Sequence, residues 1–491
     1  MAGWTRGYVA DSTYGIAWQS AQTPGHLAMV CAMAGVAWEP RPRMVVADLG
    51  CGRGYTVNTL AAANPDWTVL GLDHNPVHVA EAMQTASRSG LGNALFQEAD
   101  LGAMTDAELE MLPPLDVVML HGVWSWVSDA VREGILRLLA RRLKPGGIAY
   151  VGYNALPGAG ADFPLQRLLK HLAGPLSNSP GAGEAAAGLA IQRLRAIAPE
   201  LPLRQTPMLK RLLADPPVLE PGFIAHEFLT DHWRPVFHED LCAALAPAKL
   251  QFVGSCNLFE ALPNLFCEAP EMALMAAWPE GAPRELLKDL YLPRPFRADV
   301  FIRGARPGNA ETALESLIIA ACRPLPAQSP SLGTGRAQAV LAEPFWTLLV
   351  AALAEGPISL GHLRGRLGER VPHAAELLAL LVGTEHVLPV FRAPERAAAA
   401  TRFNLAAAAI HAPGGEGAGH FALASPVAAG GLPASAMDLA LVAALLEGAD
   451  PDDPEAIARG LQPGLDLADA AQRIAATLAA QIPIWQRFGV I

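Results

Sequence analysis

One acid and three glycines stand at alternate positions in VVADLGCGRGY: Asp48, then Gly50, Gly52 and Gly54. Glycines so spaced let a chain turn sharply out of a strand and bring its backbone against a ligand with no Cβ in the way. The order is G-x-G-x-G, not the G-x-G-x-x-G of the dinucleotide fingerprint, whose pyrophosphate sits on a helix N-terminus. The spacing suits a ligand without phosphate whose amino acid moiety meets the loop, and S-adenosylmethionine is such a ligand. Taken alone, the loop also reads as a tight strand-to-helix turn.

Two further acids close apolar runs. Asp73 ends the run in VLGLDHNP, where a carboxylate can accept both hydroxyls of a ribose, and Asp100 follows the third strand in FQEADL, placed to meet the amino group of an adenine. Either acid by itself is equally a helix cap or a solvated loop end. Three acids at successive strand ends, beside the glycine loop, favour the ligand. Cys51 inside the loop, and His74 and Leu101 next to the acids, join them as expected cofactor-binding residues.

The stretch VVMLHGVWSWVSD, 117–129, begins as a buried strand and then presents His121, Trp124 and Trp126. His121 ends the strand and is expected to contact the cofactor in preference to taking a proton from the acceptor. Tyr153 and Asn154, closing GIAYVGYN, complete the candidate catalytic set. Aromatic faces attract a sulfonium or an ammonium by roughly 0.5 to 2 kcal/mol, so Trp124 and Trp126, with Tyr14, are the expected acceptor-side residues. The alternative for each tryptophan is packing on the helix that follows. Metal chemistry is not expected: His226, His232 and His238 lie six apart, which turns ~600° on a helix and leaves them on different faces.

These residues need elements to hold them. From Met44 to Tyr153 apolar runs alternate with helical patterns, which predicts βαβ units and a parallel sheet whose ligands bind at the carboxyl ends of the strands. Residues 1–158 are read as this cofactor-binding domain, 159–232 as a helical insertion or lid, and 233–304 as a segment that completes the sheet. The Pro/Gly/Ser-rich composition up to residue 336 makes 305–336 a linker. Residues 337–491 are read as a mainly α domain that opens with three short helices and a strand, the element order of a winged helix.

That C-terminal stretch is a poor phosphate grip, with ten Arg and no Lys against fifteen acids from 336 onward. The whole chain carries a formal charge of −11, so nucleic acid is not an expected partner. No apolar run reaches the ~18 residues of a membrane span, and the start of the chain lacks the pattern of a signal peptide. A soluble, cytoplasmic protein is the expectation.

Asp48 to Gly54, Asp73, Asp100 and the turn LKPGG (143–147) resemble the motifs of class I S-adenosylmethionine-dependent methyltransferases. HGVWSWV (121–127), YNALPG (153–158), FIAHEFL (223–229) and FRADVFIRG (296–304) are similar to bacterial methyltransferases with a methyltransferase regulatory domain, among them the rickettsial outer-membrane-protein lysine methyltransferases. This chain carries Trp124 and the pair Gly25 and His26 where that pattern more often has a tyrosine and an aspartate-arginine pair. The resemblance implies a Rossmann-like α/β sheet with a helical insertion and a winged-helix-like C-terminal domain, S-adenosylmethionine as cofactor, and a homodimer. It also implies a protein lysine acceptor, such as an outer-membrane or surface protein. A small-molecule methyltransferase and a non-catalytic regulator that binds the cofactor are the alternatives.

Overall fold

The computed structural model describes residues 15–178, 181–292, 294–368, 371–412, 420–461 and 467–491. Tyr14 lies outside them. Helix α1 (Pro24–Met33) precedes the sheet, and then strands β1 (Val45–Leu49), β2 (Thr68–Asp73), β3 (Ala94–Glu98), β4 (Leu115–His121) and β5 (Leu143–Asn154) alternate with α2 (Tyr55–Ala63), α3 (Pro76–Arg88), α4 (Asp106–Met111) and α5 (Asp129–Arg142). Local chemistry fixes the helix starts. The side chains of Thr23, Asn75 and Ser128 each accept an amide of the first turn of α1, α3 and α5, and Pro24 and Pro76 occupy first helical positions.

After β5 come α6 (Phe163–Ala173), α7 (Gly183–Ile197), α8 (Pro207–Leu213) and α9 (Pro221–Phe228). Leu169, Ala190, Leu194, Leu209, Ile224 and Phe228 from these four helices bury one another in a core of their own. The chain returns through α10 (His238–Leu245), β6 (Leu250–Ser255), α11 (Ala269–Ala277) and α12 (Ala282–Tyr291) to β7 (Phe296–Arg303). The seven strands lie in the order β3-β2-β1-β4-β5-β7-β6, with the first five parallel and β7 antiparallel to both neighbours. Strand order reverses between β1 and β4, so a crevice opens at their carboxyl ends, where the glycine loop and His121 sit.

Two expectations change in detail. LKPGG is a bulge inside β5 instead of a turn before it: the register passes from Leu115 opposite Leu143 to Val117 opposite Ile148. Asp116, the residue passed over, is buried and holds Lys144 Nζ at 2.9 Å and the Val45 amide at 2.8 Å. Second, residues 305–336 are more than a linker. They contain α13 (Ala310–Ser316) and β8 (Ile318–Ala321), followed by the short β9 (Leu332–Gly333), which pairs with β10 (Gln338–Ala339).

β8 is the central strand of a small antiparallel sheet, because α14 (Glu343–Glu355) leads to β11 (Ile358–Ser359), and α15 (Leu360–Leu367) and α16 (Ala374–Gly383) lead to β12 (Val387–Pro389), one on each side of it. Apolar IIAA could be buried only by continuing the fold, which the composition of its flanks concealed. The chain ends with α17 (Ala398–His411), a hairpin of β13 (Phe421–Ser425) and β14 (Gly430–Ala434), α18 (Ala436–Leu446), α19 (Pro454–Leu461) and α20 (Leu467–Arg487).

Among the described residues the C-terminal region has no separate core. Trp346, Leu377, Phe403 and Phe488 share one buried cluster with Val46, Val117 and Tyr150 of the large sheet. The departures at 25 and 26 belong to this junction. A Cβ on Gly25 would lie 2.5 Å from the Phe391 ring, and His26 Nε2 is 2.7 Å from the Cys256 carbonyl oxygen. Among the described residues no helix is long and apolar enough to cross a membrane.

Candidate active site

The glycine loop leaves β1 and is tied to β2. The Gly50 amide donates to the Leu72 carbonyl at 2.7 Å, and the Gly52 amide donates to Asp73 Oδ2 at 2.7 Å. Gly52 (φ +53°) has no heavy atom within 4 Å of where a Cβ would stand, and it borders a cavity. Gly54 (φ +71°) serves packing instead: a Cβ there would lie 2.5 Å from that of Ala82 and 2.7 Å from the Phe96 ring.

The cavity has a volume of about 260 Å³. Its floor is Gly50, Gly52, Asp73, His74, Asp100 and Leu101, which the sequence selects, and Trp126 joins them from the loop after β4. His78, Val127 and Val131 extend the wall, and the far side is closed by His226, Glu227 and Thr230, from α9 and the residues just after it. Among the described wall residues are three carboxylates, on Asp73, Asp100 and Glu227, and no Lys or Arg. Such a wall favours a cationic ligand over a phosphate.

Each expected acid also shapes its own turn. Asp73 Oδ1 accepts the Asn75 amide at 2.8 Å, and Asp100 Oδ1 accepts those of Gly102 and Ala103 at 3.1 and 3.3 Å. A carboxylate has about four acceptor positions, so cap and ligand roles are compatible. Two wall nitrogens are buried without a hydrogen-bond partner: Trp126 Nε1 and His78 Nε2, the latter on a ring whose Nδ1 is 3.5 Å from Asp73 Oδ1. Leaving such groups unsatisfied costs about 1 to 3 kcal/mol each, which a ligand's polar atoms can recover. Carboxylates for hydroxyls and an amine, two unsatisfied ring nitrogens, and aliphatic Leu72, Ala99, Val127 and Val131 for a flat base fit the adenosine of S-adenosylmethionine.

Asp48, Cys51 and His121 stand near the strand ends but are not in this wall. Burial and then the Asp73 charge push the Asp48 carboxyl up to about 8. Burial foremost raises the Cys51 thiol well above its ordinary value, so it is a neutral group; its Sγ lies 2.9 Å from where a Cβ on Gly71 would stand. Burial lowers His121 to about 4, leaving a neutral imidazole whose Nδ1 is 2.7 Å from the Tyr150 hydroxyl.

Trp124, Tyr153 and Asn154 differ from expectation. Trp124 is 4% exposed and packs in the sheet core with Val118, Val127 and Ile135, so it borders no acceptor entry. Tyr153 is fully buried and donates to Asp299 Oδ2 at 2.7 Å, which also meets His238 Nδ1 at 2.9 Å. Side chains alternate along β5, and that of Tyr153 is committed to the core. Asn154 is a joint: its amide donates to Ser125 Oγ at 2.8 Å and its Oδ1 accepts Trp233 Nε1 at 2.8 Å.

Tyr153 belongs to a buried ionic network built by FRADVF. Arg297 reaches Asp299, Asp289 and Glu285 at 2.9 to 3.2 Å, and Arg294 pairs with Asp289 and Glu260. His238 belongs to this network and His226 to the cavity wall. The sequence missed His78, Glu227 and Thr230 as site residues. His78 sits one turn into α3 behind Asp73, a local signal in DHNPVH, whereas FIAHEFL marks α9 without showing that it reaches the cavity. A larger cleft of about 850 Å³ lies between the first described residues and the C-terminal region, but it holds none of the selected site residues.

Comparison with known proteins follows this geometry. Residues 46–147 match the family model described as "Methyltransferase domain", and residues 220–303 match "Predicted methyltransferase regulatory domain". An uncharacterised protein of Synechocystis sp. is 28% identical over 367 residues, 74% of this chain and 71% of that protein. A trans-aconitate 2-methyltransferase of Methylobacterium nodulans is 35% identical over 129 residues, 26% of this chain and 44% of the relative. Among solved structures, PKMT2 from Rickettsia typhi aligns over 96% of this chain and 99% of its own, with a TM-score of 0.68 and 16% identity. The same protein has been solved in complex with AdoHcy.

Proposed function

We propose, from the premise that this chain belongs to the class I S-adenosylmethionine-dependent methyltransferases that carry a methyltransferase regulatory domain, that its acceptor is the side-chain amine of lysine in proteins. S-adenosylmethionine supplies an electrophilic methyl group, and transfer is an in-line displacement that asks the protein to align the acceptor and keep its nitrogen neutral. Asp73, Asp100, His78 and Trp126 hold the nucleoside half. The Trp126 ring and the aliphatic Leu72, Val127 and Val131 lessen contact with water on their side, which favours loss of the ammonium proton. Asn154, through Ser125 and Trp233, positions the loop that carries Trp126.

The observation that carries this reading is the architecture over the cavity. It is partly open to solvent, and a four-helix unit with its own core contributes the end of α9 to its wall. An extended protein segment can enter such a cleft, whereas a metabolite enzyme is expected to enclose its substrate. The end-to-end likeness in fold to PKMT2 supports the same choice. A small-molecule acceptor is the second reading, favoured by the trans-aconitate 2-methyltransferase relative, although that match spans only the cofactor-binding part.

Incubation with methyl-labelled S-adenosylmethionine and fractionated bacterial extract separates them. Label recovered as methyl-lysine after hydrolysis of the protein fraction is expected. Label confined to the small-molecule fraction would replace the lysine reading with the second one.

A further inference from the structure

α9 has two faces. Ile224, Ala225 and Phe228 point into the core of the insertion, while His226 and Glu227, with Thr230 just past the helix end, border the cavity. Its orientation is fixed from behind: Gln166 Nε2 on α6 donates to the Phe228 carbonyl at 3.0 Å, and Lys170 Nζ donates to the Thr230 carbonyl at 3.2 Å. Lys170 also pairs with Asp231 at 2.6 Å, which fixes the chain just past the helix end. The exit from the insertion is fastened as well, because the Arg234 amide donates to the Ser125 carbonyl at 2.7 Å, one residue before Trp126. A polar helix face is thus held rigidly across the cavity from Asp73 and Asp100.

We propose that α9 supplies the second half of the donor site: Glu227 and Thr230, with His226, meet the nucleoside end of S-adenosylmethionine opposite Asp73 and Asp100. The chemistry is complementary, since carboxylate and hydroxyl are partners for ribose hydroxyls and an exocyclic amine. Bound donor then bridges the sheet and the insertion, so donor binding steadies α9 in the place it already holds beside Asp73 and Asp100. This rests on the methyltransferase reading of the cavity and not on the identity of the acceptor.

The test uses the full chain and S-adenosylhomocysteine as probe. Hydrogen exchange of the native protein should slow at residues 221–230 when the probe is added. Calorimetry should show Glu227→Gln weakening the probe roughly 10-fold or more and Thr230→Val weakening it less, with both variants melting like the native chain. Unchanged exchange in the native protein, or a loss of acceptor KM alone with donor affinity intact, overturns the proposal. Failure of the native protein to bind the probe sinks the reading of the cavity itself. Tight binding by native and Glu227→Gln alike sinks only the role of α9.

Discussion

The hydroxyl of Tyr55 donates to the backbone carbonyl of Ala422 at 2.7 Å and accepts the amide of the same residue at 3.2 Å. Tyr55 is the first residue of α2, directly after Gly54, and Ala422 lies on β13 of the C-terminal region. The far end of α2 is held too. Arg392 donates to the Ala63 carbonyl at 2.9 Å and to Asn64 Oδ1 at 2.7 Å, a cation at a helix C-terminus. The C-terminal region therefore grips, at both ends, the helix that carries the glycine loop.

Tyr55→Phe removes the partner of a buried amide and a buried carbonyl. A loss of about 1 to 3 kcal/mol in denaturant unfolding is expected, together with weaker S-adenosylhomocysteine binding because α2 anchors the loop. Full stability and native affinity in this variant would show that the contact is incidental.

Arg297→Met should be far more damaging than its isolation from the cavity suggests. Arg297 is 1% exposed, and its loss leaves Asp299, Asp289 and Glu285 short of a counter-charge, at about 3 to 5 kcal/mol. Arg297, with help from His238, holds the Asp299 carboxyl well below its ordinary range despite burial. The stability it contributes is present above the unfolded pKa of ~3.9 and is lost as pH falls below it. Native protein should therefore lose stability on acidification below about pH 4 through this site, and insensitivity of the melting temperature there would contradict it.

Asp48 gives the opposite slope. Its carboxyl, pushed up to about 8, keeps in the folded chain a proton that the unfolded chain releases above ~3.9. The folded state binds more protons between these values, so stability falls as pH rises from about 4 to about 8. Asp48→Asn removes that term, and its melting temperature should gain on that of the native protein between pH 5 and pH 8. Parallel curves would refute the perturbed carboxyl.

The two tryptophans should separate cleanly. Trp124→Ala opens a hole in the sheet core and should cost roughly 3 to 5 kcal/mol. Trp126→Phe keeps a six-membered ring but removes the pyrrole half of the indole with its N–H, so the fold should stand while donor affinity drops several-fold. Equal effects of both on stability would place Trp126 in the core as well.

Much of the cofactor half is written locally. Glycines at 50, 52 and 54 all take positive φ in one turn, and the acids at 73 and 100 stand at or just past strand ends, so spacing reveals them before any packing is known. The parallel pairing of the first five strands follows from the same alternation of apolar runs and helices. IIAA of β8 was hidden because a four-residue strand has no periodicity strong enough to outweigh its Pro- and Gly-rich flanks.

What the tertiary structure decided is where side chains of equal type end up. Trp124 and Trp126 are two residues apart, yet one packs on α5 and the other borders the cavity, a choice made by the path of the loop and its bonds to Asn154 and Arg234. The place of Tyr153 at a strand end suggests a catalytic phenol, but β7 and α10, which close around it, arrive some 80 to 150 residues later. α9 reaches the cavity only because α6 to α8 hold it there. The sequence by itself determined the parts that depend on backbone conformation over a few residues; contacts between distant segments depend on which apolar faces bury one another, and only the folded chain decided those.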